Sequence, residues 1–425
     1  MRLLKPTPRM QPDEWGADNR VYPPSSGHPG QRDPKLTPYG IPFGRAVASG
    51  KYSRAVGVFG AQMGKTDTCL DIIGERLDTS PVPMIYLGPS EEFNKTQFEP
   101  RLMTLLDESE SLASKVARGK RMTKTLKRIA GVTLRLAHGG SSTALKSDPA
   151  AIGIADEVDE LLGNIGNRGN PLVLLEARGF TYADFVLIEV STPSVGAVDT
   201  EIDEATGLEF WSPAPPEDLD STIWRHWQEG TRHHWAWPCP HCREFFIPRF
   251  KTLWWPEGAT PAEARREARL ICPRCEQKID PSHKARMNAA GVAIAPGQRI
   301  ECGEVVGDEP DNNTYSIWAS GLASPFVEWG KRAEDYLKQK ITGDQDEIQT
   351  AINAGFGEVY APGGGDVPEW QEVASRKLAL PARTVLPQAR FLTCAVDVQR
   401  SRLVYSVRAW GPRAESWLVD HGELF

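Results

Sequence analysis

The stretch "VGVFGAQMGKT", residues 56–66, decides how the chain is read. A phosphate-gripping loop follows the pattern G-x-x-x-x-G-K-[ST]: backbone N–H groups between a strand and a helix cradle phosphates, a lysine reaches their outer oxygens, and a hydroxyl ligates Mg²⁺. Here Gly64, Lys65 and Thr66 supply the close approach, the cation and the hydroxyl, but Phe59 stands where the first glycine belongs and Gly60 comes one place late. Ala55–Phe59 reads as a short buried strand, and the apolar spacing from Gly64 to Leu77 is helical. Taken alone, the stretch is equally compatible with a glycine turn that merely opens a core helix. It needs partners elsewhere in the chain.

The 425 residues suffice for two or three domains, with an ordinary apolar and charged composition. No apolar run approaches membrane length, and residues 1–35 are polar and rich in Pro and Gly, so neither a signal peptide nor a span is expected. The net charge of −7 does not advertise a nucleic-acid partner. Between Ser111 and Ser147, however, there is no acid, while Lys115, Arg118, Lys120, Arg121, Lys124, Lys127, Arg128, Arg135 and Lys146 accumulate. This run reads either as a solvated face or as a contact to a phosphate backbone.

Alternation of strand and helix continues from residue 55 to 190, as a parallel sheet flanked by helices requires. Further strands are expected at Met84–Leu87, Val132–Ala137, Ala151–Ala155 and Phe185–Val190, with helices at Glu91–Leu106 and Asn170–Arg178. The strand in "AIGIADEVDEL", residues 151–161, ends in Asp156 and Glu157. An aspartate there can hold the Mg²⁺ shell opposite Thr66, and the adjacent glutamate can orient and deprotonate the water that attacks a γ-phosphate. Asp159 either supports that site or caps a helix. A third strand end, "DFVLIEVSTPS" at 184–194, places Ser191, Thr192 and Pro193 where small groups can bond the catalytic carboxylate or water and pass the phosphate state onward.

Of seven cysteines, four form two pairs of one spacing: Cys239 and Cys242, then Cys272 and Cys275. Paired C-x₂-C knuckles let four thiolates close a tetrahedron around Zn²⁺ at about 2.3 Å, leaving no open position for substrate, so a structural zinc is expected. His241 inside the first knuckle reads as a bystander. Cys69, Cys302 and Cys394 lack spaced partners and read as core residues. Helical spacing returns at Phe326–Lys340 and Asp346–Phe356, "APGGGDVPEW" at 361–370 reads as a linker, and residues 389–424 hold three strand-like runs.

In their order, "GAQMGKT", "ADEVDE", "STPS", "PCPHC", "CPRC", "GLASPFVEW", "NAGFGEVY" and "CAVDVQ" followed by "WG" resemble one family over nearly the whole chain: the large terminase subunit of tailed bacteriophages, in the subgroup typified by the phage lambda packaging motor. Its members commonly carry a deviant phosphate loop, so the resemblance favours a nucleotide site. It implies an α/β fold: a RecA-like P-loop ATPase with a parallel sheet, a zinc-ribbon insertion and the first strands of a ribonuclease H-like nuclease domain. The expected division is an N-terminal extension at 1–45, the ATPase core at 46–220, the ribbon insertion at 221–300, a helical subdomain returning to the ATPase at 301–365, a linker at 366–388 and the start of the nuclease domain at 389–425.

The resemblance further implies ATP, Mg²⁺ and structural Zn²⁺ as cofactors. Lys65 and Glu157 would be catalytic, and Gly60, Ala61, Gln62, Met63, Gly64, Lys65, Thr66 and Asp156 would bind the nucleotide. The implied partners are double-stranded DNA, a small terminase subunit, the portal protein of the procapsid and further copies of the chain, in the cytoplasm of the infected bacterial host and without a membrane. Ala61 occupies a place where some relatives carry an arginine, so the charge-stabilising arginine must come from elsewhere; Arg101 and Arg54 are candidates. Asp397 matches the first carboxylate of a two-metal nuclease, whose ions sit about 3.5–4 Å apart. Asp420 and Glu423 match no family motif. The remaining family carboxylates would lie beyond residue 425, so ATP hydrolysis without efficient DNA cutting is expected of these residues. A helicase-like remodelling ATPase and a non-enzymatic zinc-ribbon DNA-binding remnant are the alternatives. The first would add a second alternating α/β set, which residues 195–425 lack, and the second conflicts with intact Lys65 and Glu157.

Overall fold

The computed structural model describes residues 10–117, 122–141, 145, 148–165, 167, 169–361, 380–398 and 402–424. The chain divides into two compact units, Met1–Gly364 and Gly365–Phe425.

The first unit opens with helix α1 (Pro12–Asn19), a hairpin of β1 (Val21–Tyr22) and β2 (Gly30–Gln31), and helix α2 (Gly40–Ala48). Strand β3 (Arg54–Phe59) leads through the glycine loop into α3 (Lys65–Thr79). Residues Ala55–Phe59 are buried without alternation, as expected of a parallel strand covered on both faces. Strand β4 (Met84–Gly88) is followed by a helical run: α4 (Glu91–Phe93), a π-helical turn at Asn94–Phe98, α5 (Glu99–Glu108) and α6 (Glu110–Ala113). Next come β5 (Leu126–Ile129), β6 (Val132–His138), β7 (Ile152–Asp156), α7 (Pro171–Glu176) and β8 (Val186–Ser191).

Beyond β8 the chain forms the small hairpin β9 (Thr200–Ile202) and β10 (Glu209–Trp211), helix α8 (Thr222–Gln228) and strand β11 (His233–Pro238). The cysteine lobe follows: β12 (Phe245–Phe246), β13 (Leu253–Trp254), α9 (Pro261–Glu267), β14 (Arg269–Ile271) and β15 (Lys278–Ile279). Helix α10 (Lys284–Ala289), β16 (Val292–Ile294), the hairpin β17 (Arg299–Glu301) and β18 (Glu304–Val306), and β19 (Thr314–Ala319) bring the chain back. Helices α11 (Trp329–Thr342) and α12 (Gln345–Phe356) complete the described part of the unit.

A 10-stranded sheet organises these elements in the order β12-β11-β19-β3-β8-β7-β4-β6-β5, with β16 also on β11. All pairs from β11 to β6 are parallel; β5, β12 and β16 add antiparallel edges. The centre is therefore β3 between β19 and β8, with Phe59 opposite Ala319 and Val58 opposite Ser191. Three of the strands from 221–300, β11, β12 and β16, lie in this central sheet, so the lobe outside it is narrower than that range.

Apolar clusters cover both faces. On one, α3 packs Leu70, Ile73 and Leu77 with Trp15, Phe43 and Phe59; on the other, Trp211, Trp224, Trp227 and Trp318 form an aromatic layer. Arg249, buried, lies 4.5 Å above the Trp211 ring. Gly74 lets α1 approach α3, because a Cβ there would collide with the Trp15 ring.

The second unit is an antiparallel meander of β20 (Phe391–Val398), β21 (Leu403–Trp410) and β22 (Ser416–Leu424). Two cysteine expectations are corrected here. Cys302 is exposed because it sits with φ +54 in the turn between β17 and β18, where the chain reverses at the surface. Cys394 is exposed because every residue of β20 is, its faces lying open among the described residues. Cys69 is buried within α3, as expected.

Candidate nucleotide site and metal centre

In an open parallel sheet ligands gather beyond the carboxyl ends of the strands, and this is where the sequence candidates meet. Gly64 adopts φ +77 and caps α3, whose first N–H groups lack intrahelical acceptors and face out of the loop. Lys65 Nζ lies 2.8 Å from Glu157 Oε1. Thr66 Oγ1 donates to Asp156 Oδ2 at 3.1 Å. Lys65, Thr66, Asp156 and Glu157 thus converge, although 90 residues separate Thr66 from Asp156 in the chain.

Asp156 is fully buried, and Tyr86 in the middle of β4 donates to the same Oδ2 at 2.9 Å. Burial, reinforced by the Glu157 charge, raises the Asp156 carboxyl above its ordinary range, with Lys65 opposing. Burial and the Asp156 charge drive the Tyr86 phenol far up, so it stays a donor. Glu157 begins the turn after β7 in the left-handed region, φ +53 and ψ +56, and its Oε2 is buried without a hydrogen-bond partner among the described residues. Backbone strain of this kind clusters at functional sites, where the surrounding structure holds it in place.

A cavity of about 630 Å³ opens in front of these groups. Ala61–Asp67 and Glu157 form its floor, while the N-terminal hairpin, through Tyr22 and His28, and the helical run, through Phe93 and Arg101, form its walls. The hairpin is anchored by charge. Arg20 pairs with Asp67 at 2.8 Å and Asp71 at 2.5 Å, and Arg32 pairs with Asp71 at 3.2 Å. Residues read from sequence as an extension therefore pack on α3 and line the cavity.

The other candidates are distributed differently. The Ser191 hydroxyl donates to Thr192 O at 2.7 Å and accepts from Asp159 N at 3.3 Å, so it faces Asp159 rather than Asp156 or Glu157. Asp159 accepts from Ser194, Ser221 and Ile223 N at 2.8, 2.6 and 2.7 Å, which caps α8. Arg101 is exposed at the cavity wall. Arg54 sits at the opposite end of β3, paired with Glu176 at 3.2 Å and near buried Glu189, and cannot reach the loop.

Within the basic run, Lys115, Lys127 and Arg135 are neutralised by Asp78, Glu99 and Asp148. Lys124 and Arg128 remain exposed, and Arg118, Lys120, Arg121 and Lys146 lie outside the described residues. In the second unit Asp397 is exposed on β20. It shares a cross-strand row with Val404 and Glu423, whereas Asp420 lies in the row of Cys394 and Val407, three residues away and so on the opposite face. Asp420 and Glu423 pair with Arg383 and Arg402.

Cys239, Cys242, Cys272 and Cys275 place their sulfurs within 4.8 Å of one another, with Cys239–Cys275 and Cys242–Cys272 at 3.9 Å. A tetrahedron with bonds of about 2.3 Å has edges of about 3.8 Å, so the four thiolates fit Zn²⁺. Each knuckle aims a backbone N–H at its first sulfur: His241 N and Arg274 N lie 3.4 Å from Cys239 and Cys272. The His241 ring points away, to Lys278 O at 3.2 Å.

Residues 26–292 match the family described as phage terminase large subunit gpA, ATPase domain. The chain belongs to that family. Residues 314–425 match the terminase large subunit gpA endonuclease domain, a match that begins on β19, a central strand of the first unit. The large terminase subunit of Escherichia phage lambda is 28% identical over 439 residues, covering 98% of this chain and 63% of that protein; the chain thus spans less than two thirds of its relative. Among solved structures, the HK97 bacteriophage large terminase aligns with a TM-score of 0.45 at 12% identity, over 98% of this chain and 67% of that one. The Thermus phage P74-26 large terminase ATPase domain aligns with a TM-score of 0.37 at 12% identity, over 73% and 91%. No described helix of this family member is long and apolar enough to cross a membrane.

Sequence reasoning missed Tyr86, the N-terminal wall of the cavity, and the contacts that pin the loop from behind: Tyr39 OH donates to Met63 O at 2.9 Å and Ser324 Oγ to Gln62 O at 2.6 Å. Ser324 lies inside "GLASPFVEW", whose glycine and small residues are the signal of a close approach.

Proposed function

We propose that the chain is the ATP-hydrolysing motor subunit of a viral DNA-packaging machine, carrying in its second unit part of a metal-dependent endonuclease. The observation that carries this reading is the convergence of Lys65, Thr66 and Glu157 on the floor of one cavity, with the buried Asp156 carboxylate bonded to Thr66 behind them. The Thr66 hydroxyl and the Asp156 carboxylate are hard oxygen donors suited to Mg²⁺, which when bound would neutralise the charge of the β- and γ-phosphate oxygens.

Each residue then has a task. The loop backbone from Gly60 to Thr66 holds the phosphates, and Lys65 exchanges its ion pair with Glu157 for a phosphate oxygen. That exchange frees Glu157 to orient the attacking water and take its proton. Tyr86 and Thr66 fix the Asp156 carboxylate in place. Arg101, exposed on the cavity wall, is assigned to face the phosphates, because Arg20, which also lines the cavity, is held by Asp67 and Asp71. Ser191–Pro193 relay the nucleotide state through Asp159. Asp397 is assigned to the nuclease site, and the four cysteines would hold a Zn²⁺ that ties the ribbon lobe closed.

Duplex DNA would be gripped mainly through phosphates, because a packager must accept any sequence; Lys124 and Arg128 are the exposed candidates from the basic run. The small terminase subunit, the portal of the procapsid and further copies of the chain are the proposed partners. The test is steady-state ATP turnover with and without linear duplex. Turnover is to rise with duplex and fall by about two orders of magnitude in Lys65→Ala. Equal turnover in Lys65→Ala would sink the reading.

A further inference from the structure

Two sets of contacts meet on residues 353–360, a segment no role has been given. The first set is with the phosphate loop. Ala61 N donates to Ala354 O at 2.8 Å. A Cβ on Gly60 would lie 2.9 Å from that same oxygen and 3.4 Å from Gly357 N. Gly357 ends α12 with φ +70, and a Cβ there would lie 2.8 Å from Gly60 N. Gly321, next to Gly60, is closer still to the same segment: a Cβ there would lie 2.0 Å from Gly355 O. The loop and the end of α12 thus touch backbone to backbone, with no side chain between them to absorb a displacement. This also accounts for the glycine that comes one place late: position 60, not 59, is where α12 abuts the loop.

The second set is with the turn after β8. Asn353, buried in α12, donates its amide to Ser194 O at 2.8 Å and to Glu358 O at 2.7 Å. Tyr360 N donates to Ser194 O at 3.0 Å, and Gly196 N returns a bond to Tyr360 O at 3.0 Å. Ser194 in turn bonds Asp159, two residues beyond Glu157. A closed circuit results: phosphate loop, end of α12, Asn353, Ser194, Asp159 and the strand tip bearing the acids.

The geometry points to Asn353 as a positioning residue of the nucleotide site, linking occupancy of the phosphate loop to the placement of the 194–196 turn and, through Asp159, of Glu157. Packed interiors transmit small displacements because they have few alternative arrangements, and a backbone-to-backbone contact is their stiffest form. The inference rests on the nucleotide-site reading but goes beyond it, since Asn353 touches neither phosphate nor water.

Hydrogen exchange on the full chain, with and without a non-hydrolysable ATP analogue and Mg²⁺, tests it. In the unsubstituted protein the analogue is to protect amides at both 60–66 and 194–196. In Asn353→Ala, protection at 60–66 is to persist and protection at 194–196 to vanish, with KM within about threefold and kcat lowered about tenfold. Asn353→Asp, which sets a carboxylate against two carbonyl oxygens, is to lose more than Asn353→Ala. Unchanged protection at 194–196 and unchanged kcat in Asn353→Ala would overturn the inference. Protection at 60–66 without any at 194–196 in the unsubstituted protein would overturn it with no variant needed. No protection at 60–66 would instead overturn the nucleotide site itself.

Discussion

Restoring the standard pattern of the phosphate loop should damage the protein. Phe59→Gly puts a glycine where the motif asks for one, yet Phe59 is 2% exposed, with its ring 5.8 Å from Tyr39 and 6.2 Å from Phe43 in an edge-on contact. Removing a buried phenylalanine side chain costs about 3–5 kcal/mol, and glycine inside a strand adds about 0.5–1 kcal/mol. The sum, about 3.5–6 kcal/mol, is a large fraction of the stability of any domain. Tyr39 also loses the packing that aims its hydroxyl at Met63 O, so the loop loosens as the core does. Gly60→Ala is the complementary change: its Cβ, 2.9 Å from Ala354 O, must push α12 away at an overpacking cost of about 1–3 kcal/mol. Thermal unfolding and binding of a fluorescent ATP analogue, measured on both variants, check this. If Phe59→Gly melts like the unsubstituted protein and binds the analogue more tightly, the loop is an ordinary one with a decorative phenylalanine, and the reasoning fails.

Metal analysis is to find about one zinc per chain, and Cys272→Ser is to release it and lower the stability of the ribbon lobe; a metal-free protein that melts identically would remove the assignment. Burial pushes the His233 imidazole down to about 4, Glu309 opposing, so it is neutral in the fold. Its contribution is intact above about pH 6.5 and is lost as pH falls towards 4, because the unfolded chain takes up a proton that the fold refuses; the shift amounts to about 3 kcal/mol. Denaturant unfolding at pH 7 and pH 5 checks this, and His233→Gln is to flatten the dependence. The buried pair of Lys127 with Glu99 makes a further case: Lys127→Ala is to lower stability while leaving the salt dependence of DNA binding unchanged, whereas Lys124→Ala is to do the reverse. Equal effects of both on DNA binding would show that Lys127 does not stay paired.

Much of this architecture was legible in the residues. Buried parallel strands show as unbroken apolar runs, and β3, β4, β6, β7 and β8 all appeared near their observed limits. The acids were legible because a charged pair after an apolar run marks a strand tip, and the four-cysteine cluster because spacing alone fixes a knuckle. What escaped was long-range. That β19 returns to the sheet beside β3, and β11 beside β19, cannot be read from local pattern, since "HHWAWP" and "TYSIWA" look like any half-buried strands. The N-terminal wall was hidden by its polar, proline-rich composition; Arg20 and Arg32 fold it by pairing with acids on a distant helix. Cys302 and Cys394 misled because an isolated cysteine carries no sign of whether its turn or strand face is covered.

In the proposed mechanism Lys65 and Glu157 serve a single nucleotide in different ways, one by holding it and one by activating water. Comparing ATP binding with ATP turnover in Glu157→Gln tests this most directly. Binding is to stay within a few-fold of the unsubstituted protein while turnover falls by about two orders of magnitude or more. Turnover at the unsubstituted rate in Glu157→Gln would contradict the account.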